Sequence, residues 1–383
     1  MAPLAADRDP KTTQTSGESP REVAAESQLV LLNAGSALPR LAGIGILLLG
    51  VIAAFLYLGG WFSPGKLTPG KFVDEFQRVN GTYSGFRRNH AKGVCVRGFF
   101  ESNGAGARIS KAVVFEAGRV PVIGRFSVGG GDPYAKDDLS NVRGLGLQFS
   151  LPDGEQWRTA MINLPVFPFK DPEAFYENLV ASQPDPGTHQ PDPAKMAAFA
   201  AKNPETIRAL GIIKSHAPSS GFDNSSFYGL NAFRFTNADG TEAYVRWTLV
   251  PVQAFQPASA SEATQDKNFL FDALIAGIQQ HPLQWHLLLT IAQSGDPTND
   301  ATIPWPGGRQ QVDAGTLTLD TVESEATSPA RDINFDPLVL PVGMAPSDDP
   351  LLSARSAIYS QSFTRRAGEK KEPSAITPAE VQK

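Results

Sequence analysis

One histidine and one tyrosine stand in surroundings that suggest chemistry. His90 lies in the basic segment Phe-Arg-Arg-Asn-His-Ala-Lys-Gly, residues 86–93. An imidazole with an ordinary pKa of about 6.5 can accept and return a proton at neutral pH, as a general acid and base must. Tyr359 follows Arg355 by four residues, so on a helix the guanidinium can hold a phenolate ionised by hydrogen bonding. The plain alternatives are a structural histidine in a basic loop and an amphipathic pair on a surface helix.

The other histidines and the single cysteine offer less chemistry. His189 and His216 fall in loops rich in Pro, Ser and Gly, where we expect solvated side chains. His281 and His286 fall in a stretch with helical spacing, where we expect packed, hydrogen-bonded rings. No two histidines have a metalloprotease spacing, and Cys95 alone makes neither an intrachain disulfide nor a cysteine-rich zinc site. A zinc hydrolase is therefore disfavoured.

Composition narrows the class of protein further. Lys and Arg number 34 against 39 Asp and Glu, so electrostatics give no reason to expect a nucleic-acid partner. With 41% hydrophobic residues and 23 Phe, the chain can bury a substantial core. Its 35 Gly and 31 Pro favour many turns over a long helical bundle.

The elements that must position these side chains are mostly strands. Short apolar or alternating runs bounded by Gly, Pro and Asp predict strands at 113–116, 120–128, 144–151, 231–235 and 243–251. The last two flank Thr-Asn-Ala-Asp-Gly, in which Gly240 can take a positive φ, so they predict a hairpin. Helical spacing predicts helices over 193–210, broken at Pro204, and over 266–292. The expected fold class is α+β, with helices packed on an antiparallel barrel or curled sheet.

The large domain stands between segments of different character. Residues 1–40 lack apolar periodicity and predict a disordered tail. Residues 41–62 contain no charge and as a helix reach roughly 33 Å, which predicts a transmembrane helix. This run is too long and too deep in the chain for an ordinary signal peptide. Residues 66–366 predict one large domain, and 367–383, charged and without a core pattern, predict a second disordered tail.

The orientation of this span is not settled by charge. Arg40 precedes it, while Lys66 and Lys71 follow it. Tyr57 and Trp61 would lie near one interface, as an aromatic belt requires. An uncleaved span behind a short tail often acts as a signal anchor, so we expect a single-pass protein of the inner (cell) membrane with its large domain outside the cytoplasm.

A series of motifs follows the order in which the catalase family carries them. They are Arg-x-x-His-Ala-Lys-Gly at 87–93, Gly-Phe-Phe-Glu at 98–101, Arg-Phe-Ser at 125–127, Val-Arg-Gly at 142–144, Asn-Leu-Pro-Val-Phe at 163–167, Asn-Phe-Asp-Pro at 334–337 and Arg-Ser-Ala-Ile-Tyr at 355–359. Over residues 69–366 the chain therefore resembles the catalase family, and within it the small catalase-related peroxidases. The resemblance implies a catalase-like antiparallel β-barrel with packed helices, here preceded by one transmembrane helix, and haem b as the cofactor.

The same resemblance assigns roles to particular residues. Tyr359 is the expected ligand of the haem iron, with Arg355 one turn before it, and His90 is the expected distal acid and base. A tyrosinate is an electron-rich axial ligand, which suits peroxide cleavage. The arginines expected to bind the haem propionates, the hydroxyl expected on the distal imidazole and the ring expected against the porphyrin are Arg87, Arg125, Arg366, Ser127 and Phe175.

The chain also departs from the family pattern. Catalases commonly read Asn-Asn-Thr-Pro where this chain reads Ile-Asn-Leu-Pro at 162–165, so a gapless register places Ile162 where the distal amide belongs. A shift of one residue would let Asn163 orient the peroxide, and we keep Asn163 as a catalytic candidate. Asn89 and Gly129 replace a small apolar residue and a Val of the long catalases, which predicts a wider, more polar entrance. The chain stops soon after the proximal helix, so the long catalases' tetramer and nicotinamide nucleotide are not implied, and the oligomeric state stays open.

The expected function is that of a haem peroxidase. It would reduce organic hydroperoxides, hydrogen peroxide or both with electrons from an unknown donor, with weak catalase activity beside it. One alternative is a fatty-acid hydroperoxide isomerase on the same barrel, which needs no electron donor. The other is a non-catalytic barrel that binds haem or lipid, in which replacing His90 would abolish no activity.

Overall fold

The computed structural model describes residues 34–58, 66–259 and 266–382. The chain forms two compact units, residues 1–64 and 65–383. Most of the predicted N-terminal tail, residues 1–33, lies outside the described residues, as do 59–62 of the predicted span.

The described part of the first unit is one helix, α1 (Ala34–Leu58). It begins at Ala34 rather than Leu41, because the uncharged run Ala-Gly-Ser-Ala-Leu continues the helical backbone towards the N-terminus, so the predicted boundary at residue 40 is wrong. Within it, Pro39–Tyr57 is 19 residues long with a mean hydropathy of 2.1, and none of it is buried. This helix is therefore long and apolar enough to span a membrane.

The second unit is built on an antiparallel β-barrel, as the sequence predicts. Eight strands close in the order β1-β2-β3-β4-β5-β7-β8-β9, with β9 pairing back to β1, and β6 and β10 extend the sheet from β7. The strands are β1 (Gly93–Ser102), β2 (Gly118–Val128), β3 (Arg143–Ser150), β4 (Gln156–Ile162), β5 (Phe227–Tyr228), β6 (Phe233–Thr236), β7 (Glu242–Pro251), β8 (Leu283–Ile291), β9 (Gln311–Glu323) and β10 (Met344–Pro346).

Large aromatic side chains fill the core of this unit. Trp157, Trp247 and Trp285 are fully buried, and Phe149 stacks on Trp157 with ring centroids 4.6 Å apart. Such rings bury large apolar areas and supply much of the stabilisation of a core. The predicted hairpin is confirmed: β6 and β7 pair, and Gly240 in the turn has a φ of +83°.

Seven helices follow within the described part of this unit. They are α2 (Pro69–Asn80), α3 (Pro172–Ala181), α4 (Pro193–Lys202), α5 (Pro204–Lys214), α6 (Phe269–Gln280), α7 (Pro350–Ala367) and α8 (Pro378–Val381). Several begin with proline directly after an Asp or Thr that caps the helix, as Asp349 does for α7. The predicted break at Pro204 is confirmed, because Asn203 ends α4 and precedes α5.

Two predicted elements are wrong. The helix predicted over 266–292 ends at Gln280, and strand β8 follows it. Fully buried and less buried residues alternate along β8, so its true period is two, although its leucines also fit a helical spacing. His286 lies on this strand with Nδ1 3.0 Å from Asp313 Oδ2, and His281 is exposed at the end of α6. Residues 113–115 form a 3₁₀ turn rather than a strand.

The predicted C-terminal tail is also wrong. Residues 368–381, which we call the C-terminal strap, pack against the second unit after α7 ends at Ala367. Ile376 is fully buried, and Ser324 Oγ donates to its carbonyl at 2.7 Å. A segment held by scattered apolar contacts, ion pairs and side-chain hydrogen bonds to distant residues has no periodicity that a sequence pattern could show.

Candidate active site

The predicted site residues meet at one cavity of about 630 Å³. Its walls come from α2, the loop before β1, strands β2 to β4, α3 and α7. The lining is largely apolar, and the volume lies in the range of small-molecule and cofactor sites. The predicted residues that line it are Arg87, His90, Arg125, Ser127, Phe175, Arg355, Tyr359 and Arg366.

His90 is held in an unusual backbone conformation at one wall. Its φ of +55° lies in the left-handed region, which few residues other than glycine adopt. Asn89 Oδ1 accepts a hydrogen bond from the His90 N–H at 3.0 Å, and Arg125 Nη1 donates to the His90 carbonyl at 2.9 Å. On the ring, Nδ1 lies 3.2 Å from Ser127 Oγ. The serine thus occupies Nδ1 and leaves Nε2 for chemistry in the cavity.

The surroundings of His90 keep its ring neutral. Burial lowers the pKa of His90 to about 4, and the positive charges of Arg125, Arg87 and Arg355 act in the same direction. At neutral pH the imidazole is therefore a proton acceptor.

Strand β3 approaches the imidazole so closely that one position requires glycine. A Cβ at Gly144 would lie 3.0 Å from His90 Nδ1 and 2.9 Å from Ser127 Oγ. The glycine of the Val-Arg-Gly motif thus makes room for the histidine and its hydroxyl partner.

Three arginines gather at one side of the cavity around a single buried carboxylate. Arg125 Nε donates to Glu325 Oε1 at 2.6 Å, and Arg87 Nη1 lies 3.5 Å from the same oxygen. Arg366 is buried beside them and donates to the Arg331 carbonyl at 2.9 Å. Burial lowers the pKa of Arg87 well below its ordinary value, and the charges of Arg125 and Arg366 lower it further. The cluster therefore has an excess of positive charge that suits a ligand with carboxylates.

Helix α7 supplies the opposite chemistry, a phenol. Tyr359 and Arg355 share a face of this helix as predicted, and Arg355 Cζ lies 5.8 Å from the centre of the tyrosine ring. The guanidinium donates to Asn231 Oδ1 and, at 2.8 Å, to the Ala160 carbonyl. Asn231 in turn donates to Asp349 Oδ2 at 2.8 Å. Asp349, Asn231 and Arg355 thus form a chain of hydrogen bonds that fixes the guanidinium beside the ring.

Phe175 also lines the cavity, in an aromatic group around the start of α3. Its ring stacks on Phe169 with centroids 4.8 Å apart and planes 8° from parallel. The rings of Phe72, Phe76 and Phe167 meet it edge-on. This group makes one wall flat and apolar.

Asn163 is the one predicted site residue that does not line the cavity. Its Oδ1 accepts a hydrogen bond from the Arg143 N–H at 2.8 Å, and its own N–H donates to the Arg143 carbonyl at 3.0 Å. Both groups are occupied in closing the end of the β3–β4 ladder. Ile162 lines the cavity instead, as the gapless register gives. The structure therefore does not bring Asn163 to this cavity, and we assign it no role there.

Sequence reasoning missed three residues of the site. Glu325, Asn231 and Asp349 are each less than 5% exposed and hold the arginines described above. Each of these residues lies more than a hundred residues from its partner along the chain, so no spacing in the sequence joins the pairs. Asp349 does carry a local signal, its capping position before Pro350, but that signal indicates a structural role.

The barrel and its cavity together define a protein with room for a small molecule or cofactor, in a site lined by a histidine, an arginine cluster and a helix-borne tyrosine. Comparison with known proteins makes the class specific: residues 65–377 match the family "Catalase". The chain belongs to the catalase family.

Individual relatives extend this finding. The "Catalase-related peroxidase" of Synechococcus elongatus is 39% identical over 306 residues, 80% of this chain and 90% of that protein. The protein of the same name from Mycolicibacterium paratuberculosis is 33% identical over 307 residues, 79% of this chain and 96% of that one. Mouse "Catalase" is 27% identical over 312 residues, which cover 78% of this chain and 59% of that protein. A crystal structure of a fungal catalase superposes with a TM-score of 0.68 at 20% identity, over 79% of this chain and 62% of that one, a likeness of fold.

Proposed function

We propose that this chain is a haem-dependent peroxidase that reduces organic hydroperoxides and hydrogen peroxide with electrons from an external donor. The observation that carries the proposal is the common cavity of His90 and Tyr359, with the arginine cluster at its side. A neutral base, a phenol and an anion-binding cluster are the groups that peroxide chemistry at a bound haem requires.

The residues present fit haem b. Arg87, Arg125 and Arg366 surround one carboxylate, Glu325, and burial together with the charges of Arg125 and Arg366 lowers the pKa of Arg87, so two propionates would balance the excess positive charge. Tyr359 would bind the iron and Phe175 would lie against the flat face. Haem supplies a redox-active iron that can exchange electrons with a peroxide and with a one-electron donor.

The protein's own groups move the protons. His90 Nε2 accepts the proton from the peroxide O–H and then delivers it to the oxygen that leaves when the O–O bond breaks. The organic product keeps one oxygen as an alcohol, and two electrons and two protons from the donor reduce the other to water. Ser127 Oγ is within hydrogen-bond distance of Nδ1, so the imidazole keeps its orientation through both transfers.

Arg355 acts on the other side. Its guanidinium carbon lies 5.8 Å from the centre of the Tyr359 ring, beside the phenol that would bind the iron. Asn231 and Asp349 hold the guanidinium in place, so these two residues position Arg355 rather than meet the ligand.

The cavity favours hydroperoxides larger than hydrogen peroxide. Apolar side chains dominate its lining, and Gly129 and Gly130 contribute no side chain to it. Asn89, also in the lining, is held by accepting hydrogen bonds from the N–H groups of His90 and Gly130. A wide, mainly apolar cavity can accept an alkyl or aryl group that a narrow channel would exclude.

Consumption of an electron donor distinguishes the proposed peroxidase from the alternative hydroperoxide isomerase. The similarity to two catalase-related peroxidases supports a peroxidase over an isomerase. The purified full chain, loaded with haem, would be given cumene hydroperoxide with and without a phenolic one-electron donor. Turnover to cumyl alcohol only when the donor is oxidised supports the proposal. Turnover without donor would indicate an isomerase, and haem uptake without turnover a binding protein.

We also propose that α1 anchors the chain in the cell membrane, with the second unit outside the cytoplasm. The length and hydropathy of Pro39–Tyr57 support an anchor, and the helix lies before residue 65, where the match to the family begins. Protease treatment of intact spheroplasts tests the orientation. Cleavage of the second unit without lysis supports the proposal, and protection until lysis would reverse it.

A further inference from the structure

The C-terminal strap joins the helix that carries Tyr359 to the loop that carries His90. It begins at the end of α7, nine residues after Tyr359, and its first carboxylate, Glu369, reaches the loop. One oxygen of Glu369 forms an ion pair with Arg88, and the other accepts the Gly85 N–H at 2.8 Å. Next to it, Ser84 Oγ donates to the Lys370 carbonyl at 2.7 Å. Three bonds thus connect two consecutive strap residues to three residues of the loop.

The backbones of strap and loop are in close contact. Gly85 has a φ of +77°, and a Cβ there would lie 2.8 Å from Lys371 Cα and 2.9 Å from the Lys370 carbonyl oxygen. A side chain at this position would therefore push the strap away from the loop. Contact between the loop and the strap therefore requires glycine at position 85.

Arg88 carries the connection inwards towards His90. Its side chain is 3% exposed, and its other guanidinium nitrogen donates to the Phe86 carbonyl at 2.6 Å. Two residues further along, His90 holds its left-handed backbone conformation. A buried guanidinium that loses its carboxylate partner keeps an uncompensated charge, so the loop would reorganise to expose it.

The rest of the strap is anchored independently. Arg331 Nη2 donates to the Glu372 carbonyl at 2.9 Å, Tyr134 Oη donates to the Pro373 carbonyl at 2.8 Å, and Ile376 is fully buried. These anchors do not involve the Glu369 side chain. Removing that side chain should therefore free the loop without releasing the strap.

We propose that Glu369 is a positioning residue that clamps the His90 loop to the end of α7 and so fixes the two walls of the cavity relative to each other. The part of the inference that concerns haem rests on the proposed function. The clamp does not touch the ligand: it acts through Arg88 and Gly85. It keeps His90 in place for proton transfer and slows the opening through which a bound ligand leaves.

Hydrogen exchange of the full chain without added haem tests the clamp directly. In Glu369→Ala we expect the amides of residues 84–91, including Gly85 N–H, to exchange about tenfold faster, with the barrel strands unchanged. The matched control is Glu372→Ala, which removes a strap carboxylate whose residue is bonded through its backbone carbonyl. This control should exchange as the wild type does. Equal exchange in Glu369→Ala and wild type would overturn the proposal, and so would faster exchange spread over the whole unit.

Transfer of haem to apomyoglobin provides the second measurement. Glu369→Ala should lose haem about tenfold faster than wild type, with Glu372→Ala unchanged. Glu369→Gln, which removes the charge but can still accept the Gly85 N–H, should fall between wild type and Glu369→Ala in both measurements. If Glu369→Ala fails to fold, Gly85→Ala perturbs the same contact from the loop side. It too should speed amide exchange at residues 84–91. Exchange at the wild-type rate there would contradict the clamp. A wild type that takes up no haem would overturn the proposed function, and the exchange data would still decide the clamp.

Discussion

His90 Nδ1 lies 3.2 Å from Ser127 Oγ. Strand β3 can pack against this pair only because its residue 144 is glycine. The contact with Ser127 uses Nδ1 to orient the ring and leaves Nε2 to exchange protons with a ligand. A base held in one orientation, and kept neutral by burial and three arginines, is ready to accept a proton across the whole neutral range.

The pH dependence of turnover follows from this environment. Because the pKa of His90 is lowered to about 4, its ring stays unprotonated as pH falls through 6, where an ordinary histidine would become charged. We expect kcat/KM for cumene hydroperoxide to be level from neutral pH down to about pH 5 and to fall below that as the base is protonated. A fall in kcat/KM centred near pH 6.5 would contradict the lowered pKa of His90.

Replacing the base should separate ligand binding from turnover. Asparagine tolerates the left-handed conformation of residue 90, so His90→Asn should keep the loop intact. We expect kcat to fall about 10²–10⁴-fold, the usual loss when a general base is removed, with haem uptake unchanged. Stopped-flow rates and absorption spectra measure both. Full activity in this variant would remove His90 from the mechanism.

A side chain at position 129 should narrow the cavity without disturbing the fold. A Cβ at Gly129 would meet Val142 Cβ at 3.4 Å, an ordinary contact. In Gly129→Val we expect kcat/KM for cumene hydroperoxide to fall about tenfold relative to that for hydrogen peroxide, a change of about 1.4 kcal/mol. Gly307→Ala, where an added Cβ has nothing within 4 Å, is the control. An unchanged ratio would show that size is not selected at this position.

The carboxylate inside the arginine cluster should matter for folding. Glu325 is 3% exposed, so Glu325→Gln leaves buried arginines without their counter-charge. We expect the free energy of unfolding without haem to fall by about 3–5 kcal/mol, measured by denaturant titration. In the control Glu101→Gln, the ion pair with Arg119 is more than half exposed, so the expected loss is at most about 1 kcal/mol. Equal losses of stability in the two variants would show that the Glu325 charge is not needed to balance the buried arginines.

Local patterns predicted much of this molecule, and their failures have physical causes. The 231–251 hairpin and the break at Pro204 depend on nearby residues alone, and both are confirmed. Strand β8 was mistaken for helix, because its alternation became visible only once its partners on both sides were known. The C-terminal strap escaped prediction because its order comes from distant partners such as Arg88 and Ser324.

The candidate site divides in the same way. The spacing of Arg355 and Tyr359 and the motif around His90 predicted residues that do share one cavity. Asn163 lies outside the cavity lining because one residue of register decides whether a side chain at the end of β4 faces the cavity or the β3–β4 ladder. Glu325 and Asn231 are joined to their arginines only by the tertiary fold, so no local pattern could reveal them.

Haem titration of the purified full chain, followed by absorption spectroscopy, tests the central proposal most directly. Wild type should bind one haem with a ferric spectrum typical of a tyrosinate ligand, Tyr359→Phe should lose that spectrum, and the arginine variant Arg366→Ala should bind more weakly. A chain that takes up no haem, or a Tyr359→Phe variant with an unchanged spectrum, would contradict the assignment of this cavity as a haem site with Tyr359 as the iron ligand.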